Sequence, residues 1–107
     1  MKHILSVQDL SCVGRCSLTV TLPVLSAIGC RCSVLPTAVL STHTGFSGPE
    51  VISLTDRIAA LDAHWQSQGI CFDAVLTGYM ADSRQAEAVL PLIQRYKAQA
   101  FLYCLFY

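Results

Sequence analysis

Ala38-Val-Leu-Ser-Thr-His-Thr-Gly-Phe46 enters as an apolar strand and leaves as a run of small polar groups. Ser41, Thr42 and Thr44 bring hydroxyls, His43 an imidazole, and Gly45 a backbone free to take positive φ. A polar run where a buried strand emerges suits a small polar ligand, because open α/β sheets bind ligands beyond the carboxyl ends of their strands. A solvated turn would look the same in isolation, so the choice rests on what else the chain brings to that rim.

Working outward, Cys32 to Leu40 reads as the strand feeding this loop, with Val34, Leu35, Val39 and Leu40 apolar. Pro36 lacks an N–H for the ladder and favours an edge or a bulge there. Upstream, His3 to Val7 is a short buried strand, followed by a loop from Gln8 to Gly14. From about Ser17 to Ile28 the period turns helical: Leu18, Leu22, Leu25 and Ile28 share a face, and Gly29 supplies the stop. Pro23 inside that segment predicts a kink or a late helix start.

Downstream, Pro49 suits a first helical position, and the helix is expected to run to about Gln66. Leu54, Ile58, Leu61 and Trp65 form its apolar stripe, with Asp56, Arg57 and Asp62 toward solvent. After Gly69, Asp73 to Thr77 is a third strand, leaving through Gly78-Tyr-Met-Ala. Asp82 and Gln85 have capping-box spacing. Ala86, Val89, Leu90, Ile93 and Tyr96 mark the buried face of a third helix, with Pro91 as a local conflict. The apolar run Ala100 to Tyr107 reads as a fourth, central strand.

The resulting order, β-α-β-α-β-α-β, predicts a mainly parallel sheet with right-handed crossovers and helices on both faces. Three segments then meet on one rim: Asp9 to Gly14, Ser41 to Gly45, and Gly78 to Met80. That convergence favours the ligand loop over the solvated turn.

Composition bounds the rest. The 107 residues leave room for one small domain. They are 53% hydrophobic and 13% charged, against about 25% charged in typical chains, which suits a piece of a larger body. Net charge is zero and no basic stripe appears, so neither nucleic acid nor an anionic membrane surface is expected as a partner. No apolar run reaches a membrane span and no signal peptide is legible, so the expected compartment is the cytoplasm. The six cysteines lack C-x-x-C spacing and are expected as reduced thiols, with no metal site.

Val7-Gln-Asp-Leu-Ser-Cys-Val-Gly14, Ser41-Thr-His-Thr-Gly-Phe46 and Leu76-Thr-Gly-Tyr79 resemble, in order and spacing, the N-terminal part of the pyridoxal kinases of the ribokinase-like superfamily. The resemblance runs from about residue 3 to residue 98. It implies a three-layer α/β fold, here truncated after about four strands, so that the chain is the N-terminal part of one kinase domain. For the intact enzyme it implies transfer of the γ-phosphoryl group of ATP, with Mg2+, to the 5′-hydroxyl of a B6 vitamer, and a homodimer.

By the same resemblance the position bonding the pyridine ring falls on Asp9, where the family usually has serine. The apolar positions flanking the ring fall on Ala38 and Leu40, the loop pair on His43 and Thr44, and the tyrosine on Tyr79. A carboxylate at position 9 favours a protonated ring nitrogen or a different heterocycle, which keeps the hydroxymethylpyrimidine kinases as the alternative. A non-catalytic vitamer-binding or dimerisation module is the other.

Phosphoryl transfer also needs a phosphate cradle, a carboxylate for the metal and an acceptor for the hydroxyl proton. No Walker-type run occurs, and neither the family's Asp-Pro-Val-Met-Gly motif nor its late G-x-G-D segment, with the catalytic aspartate, is among these residues. The sequence therefore predicts a truncated or frame-shifted fragment that carries the substrate half, with no catalytic residue, no bound ATP or Mg2+, and no kinase activity of its own.

Overall fold

A computed structural model describes residues 1–78, 80 and 83–96, and the backbone alone of 101–103. Tyr79 and the proposed cap Asp82 lie outside the described residues. The strand β1 (His3–Val13) runs through the middle of a five-stranded sheet. Beside it lie β2 (Arg31–Thr42) and β4 (Ala74–Thr77), both parallel to it; β5 (Phe101–Tyr103) is parallel to β4, and β3 (Val51–Ser53) is antiparallel to β2. The sheet order is β3-β2-β1-β4-β5. The helices are α1 (Leu18–Ala27), α2 (Ile58–Ser67), which follows a 3₁₀ turn over Thr55–Arg57, and α3 (Ser83–Tyr96).

Strand alternation places the layers. Leu5 and Val7 of β1 are fully buried with Leu35, Val75, Ile58, Phe72, Val89 and Leu92, so α2 and α3 cover that face. Ser6 and Gln8 point the other way, where the Gln8 amide donates to Ser6 Oγ and to Thr21 Oγ1 of α1, each at 2.8 Å. Helices therefore cover both faces of a mainly parallel sheet, the three-layer arrangement expected. Among the described residues no helix is long and apolar enough to cross a membrane.

Several expectations are corrected. The strand expected to end at Val7 continues to Val13 because β2 also runs on, pairing with it as far as Val13 and Thr42. Pro36 does produce a bulge: Gln8 pairs with Pro36 but Leu10 with Val39, so Thr37 and Ala38 together oppose Asp9. The helix expected after Pro49 begins only at Ile58, because Val51 and Ile52 are β-branched and pair with Leu40 and Val39, respectively. That short antiparallel strand adds to the four expected, and the last strand, β5, lies at an edge of the described sheet rather than at its centre.

The helix faces shift too. Of the stripe expected on α1 only Leu18 is buried, and Ile28 is 68% exposed; among the described residues this helix packs chiefly on β1 and β2. It starts at Leu18, ahead of Pro23, which rules out the late start. On α3 the buried positions are Gln85, Val89 and Leu92, while Ala86 and Leu90 face out. Asp62, expected in solvent, is 6% exposed: Arg95 of α3 pairs with it, and Tyr96 Oη donates to its Oδ1 at 3.1 Å.

Candidate functional site

A cavity of about 300 Å3 opens at the carboxyl ends of β1 and β2. Asp9, Ala38, Leu40, His43 and Thr44 all line it, although they come from two strands and a loop. Ala38 and Leu40 are buried and make apolar wall; Asp9 and His43 are half-buried, and Thr44 stands exposed at the mouth. The hydroxyl of Thr44 makes no hydrogen bond among the described residues. Tyr79, the sixth position implied by resemblance, lies outside the described residues. Its neighbour Gly78 does reach this rim, donating its N–H to the Val7 carbonyl at 3.1 Å. A side chain at Gly78 would stand 2.8 Å from Cγ of Gln8, so only glycine lets the two segments close up.

The imidazole of His43 is fixed from three directions. Its backbone N–H donates to Val13, Nδ1 accepts the Gly45 N–H at 2.9 Å, and the ring lies 4.9 Å from that of Phe46. With Nδ1 accepting, the neutral ring carries its proton on Nε2, which makes that nitrogen the donor. Gly14, at φ +109°, and Gly45 close on the ring so tightly that a Cβ on either would collide with it. His43 is thus clamped between the end of β1 and its own loop.

Asp9 is held by α1. Ser17 Oγ donates to Asp9 Oδ1 at 2.9 Å. Ser17 sits at the N-cap of α1, where a serine hydroxyl would ordinarily accept a backbone N–H; here it makes no such bond. Its φ of +51° is the one positive value of a non-glycine residue among the described residues. Such a conformation costs about 1–3 kcal/mol and persists only where the surroundings impose it.

Further lining residues were not foreseen. Thr37 and Gln85 are buried against the cavity, and the Gln85 amide donates to the Thr37 carbonyl at 3.1 Å. That carbonyl, exposed by the bulge, also accepts the Leu54 N–H at 3.0 Å. Ser11 is buried beside Cys16, whose thiol lies 3.6 Å from its hydroxyl. A glutamine at the start of a helix gave no sequence signal beyond its capping spacing. Among the described residues no three His, Cys, Asp or Glu side chains gather as a metal-binding set.

An open, mainly parallel sheet with helices on both faces and a cavity at the strands' carboxyl ends places the chain in the three-layer α/β class, whose ligands bind at that rim. No family model and no curated protein matches the chain. Solved structures do. A protein of Bacteroides thetaiotaomicron, provisionally assigned as a phosphomethylpyrimidine kinase, is 40% identical over 97% of this chain, with a TM-score of 0.89. A second crystal form of it, described as containing pyridoxal, matches with a TM-score of 0.88. Pyridoxal kinase from Lactobacillus plantarum is 31% identical over 96% of the chain, with a TM-score of 0.90. The pyridoxal kinase of Leishmania donovani, at 18% identity and a TM-score of 0.76, supports the fold alone. The chain belongs with the ribokinase-like kinases, in the group that holds the pyridoxal and phosphomethylpyrimidine kinases. It spans 36% of the Bacteroides chain and 37% of the Lactobacillus chain.

Proposed function

We propose that these residues are the vitamer-binding part of a pyridoxal kinase-like enzyme of B6 salvage. One observation carries the reading: Asp9, Ala38, Leu40, His43 and Thr44, implied by resemblance before any geometry, line one cavity sized for a substituted pyridine. The pyridoxal in the Bacteroides relative supports the same ligand class.

In this reading Ala38 and Leu40 bracket the ring, while Thr44 and the Nε2–H of His43 bond its polar substituents and orient the 5′-hydroxyl. ATP with Mg2+ supplies the phosphoryl group and its charge neutralisation in the intact enzyme. The residues that cradle the phosphates and take up the hydroxyl proton belong to segments not among these 107 residues. The division of labour is therefore binding without transfer by these residues. For the intact enzyme we propose a cytoplasmic homodimer.

Titration of the purified chain with pyridoxal tests the reading. Saturable binding, weakened in Thr44→Ala, is expected, with no phosphorylated product on adding ATP and Mg2+. Failure to bind any vitamer would overturn the ligand assignment, and ATP-dependent product would overturn the division of labour. Because a phosphomethylpyrimidine kinase assignment stands among the relatives, hydroxymethylpyrimidine belongs in the titration as competitor. Tighter binding of that ligand would favour the second reading.

A further inference from the structure

Ser17 makes an unusual set of choices. At the head of α1 it forgoes the capping bond its hydroxyl is suited to make, and it holds a left-handed backbone that side chains avoid. Its hydroxyl is committed to Asp9 Oδ1. Both features cost stability, and neither is needed to build the helix, since the backbone of Ser17 already accepts the N–H groups of Val20 and Thr21. What the arrangement secures is the position of a carboxylate.

That carboxylate is chemically isolated. Among the described residues lining the cavity, Asp9 is the one acid, none is lysine or arginine, and Ala38, Leu40 and Val51 are apolar. Asp9 Oδ2 has no hydrogen-bond partner among the described residues. An anion beside apolar wall, with one oxygen tied and the other open, is best satisfied by a ligand group that is both a donor and a cation.

We propose that Ser17 is a positioning residue that holds Asp9 as the cavity's single anionic acceptor, and that the pair selects an aromatic ring bearing a protonated N–H over a neutral ring of the same shape. The inference rests on the vitamer-binding reading above and deepens it: the preferred species is the pyridinium form of the ring. It distinguishes Ser17, which touches no ligand, from Asp9, which does.

The test compares binding of pyridoxine with binding of its benzene counterpart, in which a C–H replaces the ring nitrogen, to the 107-residue chain. The proteins are wild type, Asp9→Asn and Ser17→Gly, with urea unfolding of each as the check on folding. Wild type is expected to favour pyridoxine by about tenfold or more, a preference that collapses in Asp9→Asn. Ser17→Gly relieves the backbone and removes the hydroxyl. It should unfold at the same urea concentration or higher, yet bind pyridoxine about threefold to tenfold more weakly. A purely structural role for Ser17 would leave that affinity unmoved, and that outcome overturns the positioning claim. Equal binding of the two rings by wild type overturns the charge selection while leaving the vitamer reading intact. Binding of neither by folded protein overturns that reading and this inference with it.

Discussion

The clamp on His43 can be taken apart with three glycines. Gly29 has φ +89° and open space around its missing side chain, so Gly29→Ala measures backbone strain alone, about 1–2 kcal/mol. Gly45 has no positive φ, but a Cβ there would stand 2.5 Å from His43 Cε1 and 2.8 Å from Nδ1, so Gly45→Ala measures collision alone. His43 sits on a loop and can yield, which places that cost at the low end of overpacking, about 1 kcal/mol. Gly14 combines both, with φ +109° and a Cβ directed into the ring, and Gly14→Ala should cost about 2–3 kcal/mol. Once one methyl has displaced the ring the second meets little, so the Gly14→Ala/Gly45→Ala double variant should cost about 1 kcal/mol less than the sum. Urea unfolding gives all four values, and the ring proton resonances of His43 report its displacement. Gly14→Ala matching Gly29→Ala, with the His43 resonances unmoved, would refute the clamp.

Other expectations concern titration and the contact between α2 and α3. Burial, and then the Arg31 guanidinium, hold the His3 imidazole below its ordinary value of 6.5, so the unfolded chain takes up that proton first. The stability this contributes is present above pH 6.5 and lost as pH falls through the lowered value; urea melts between pH 7.5 and 5 should decline, and His3→Gln should flatten that decline. Burial, opposed by the Arg95 guanidinium and aided by the Asp62 carboxylate, pushes the Tyr96 hydroxyl above its ordinary value of 10.0, so stability should fall as pH rises past 10. Tyr96→Phe should remove that fall and cost about 1–2 kcal/mol at neutral pH through the bond lost to Asp62, measured by the same melts.

Hydrophobic period, with glycine and proline as punctuation, located β1, β2, β4 and the three helices, although on α1 only Leu18 of the apolar stripe is buried. It failed where polar residues are buried for a purpose. Gln8 and Ser11 read as loop material and Thr37 carried no signal within its strand, yet each is buried: Gln8 bonds α1, and the other two line the cavity. Asp62 read as a solvent residue because the arginine that pairs with it lies 33 positions further on, on a helix whose approach no local pattern encodes. The rotation of α3 has the same origin: apolar spacing favoured Ala86 and Leu90, while Gln85 turned inward to bond Thr37. Ser17 fell where a helix begins, but its left-handed backbone and its bond to Asp9 belong to the tertiary structure.

The bulge at Pro36 ties fold to site more closely than any single contact. Before it, Val7 pairs with Leu35, and both face the core under α2 and α3. Had the register continued, Asp9 and Ser11 would pair with Thr37 and Val39, and Ala38 and Leu40 would point toward the layer of α1. The extra residue shifts the pairing by one, so Ser11 pairs with Leu40 instead. Because strand side chains alternate, that single step moves Ala38 and Leu40 onto the face of Asp9. Proline supplies the break, since it cannot donate to the ladder, and the carbonyl of Thr37 freed beside it is taken by Leu54 and Gln85. A feature that weakens the sheet locally is thus what assembles an apolar wall beside a carboxylate, and the buried amide of Gln85 stabilises the irregular backbone that results.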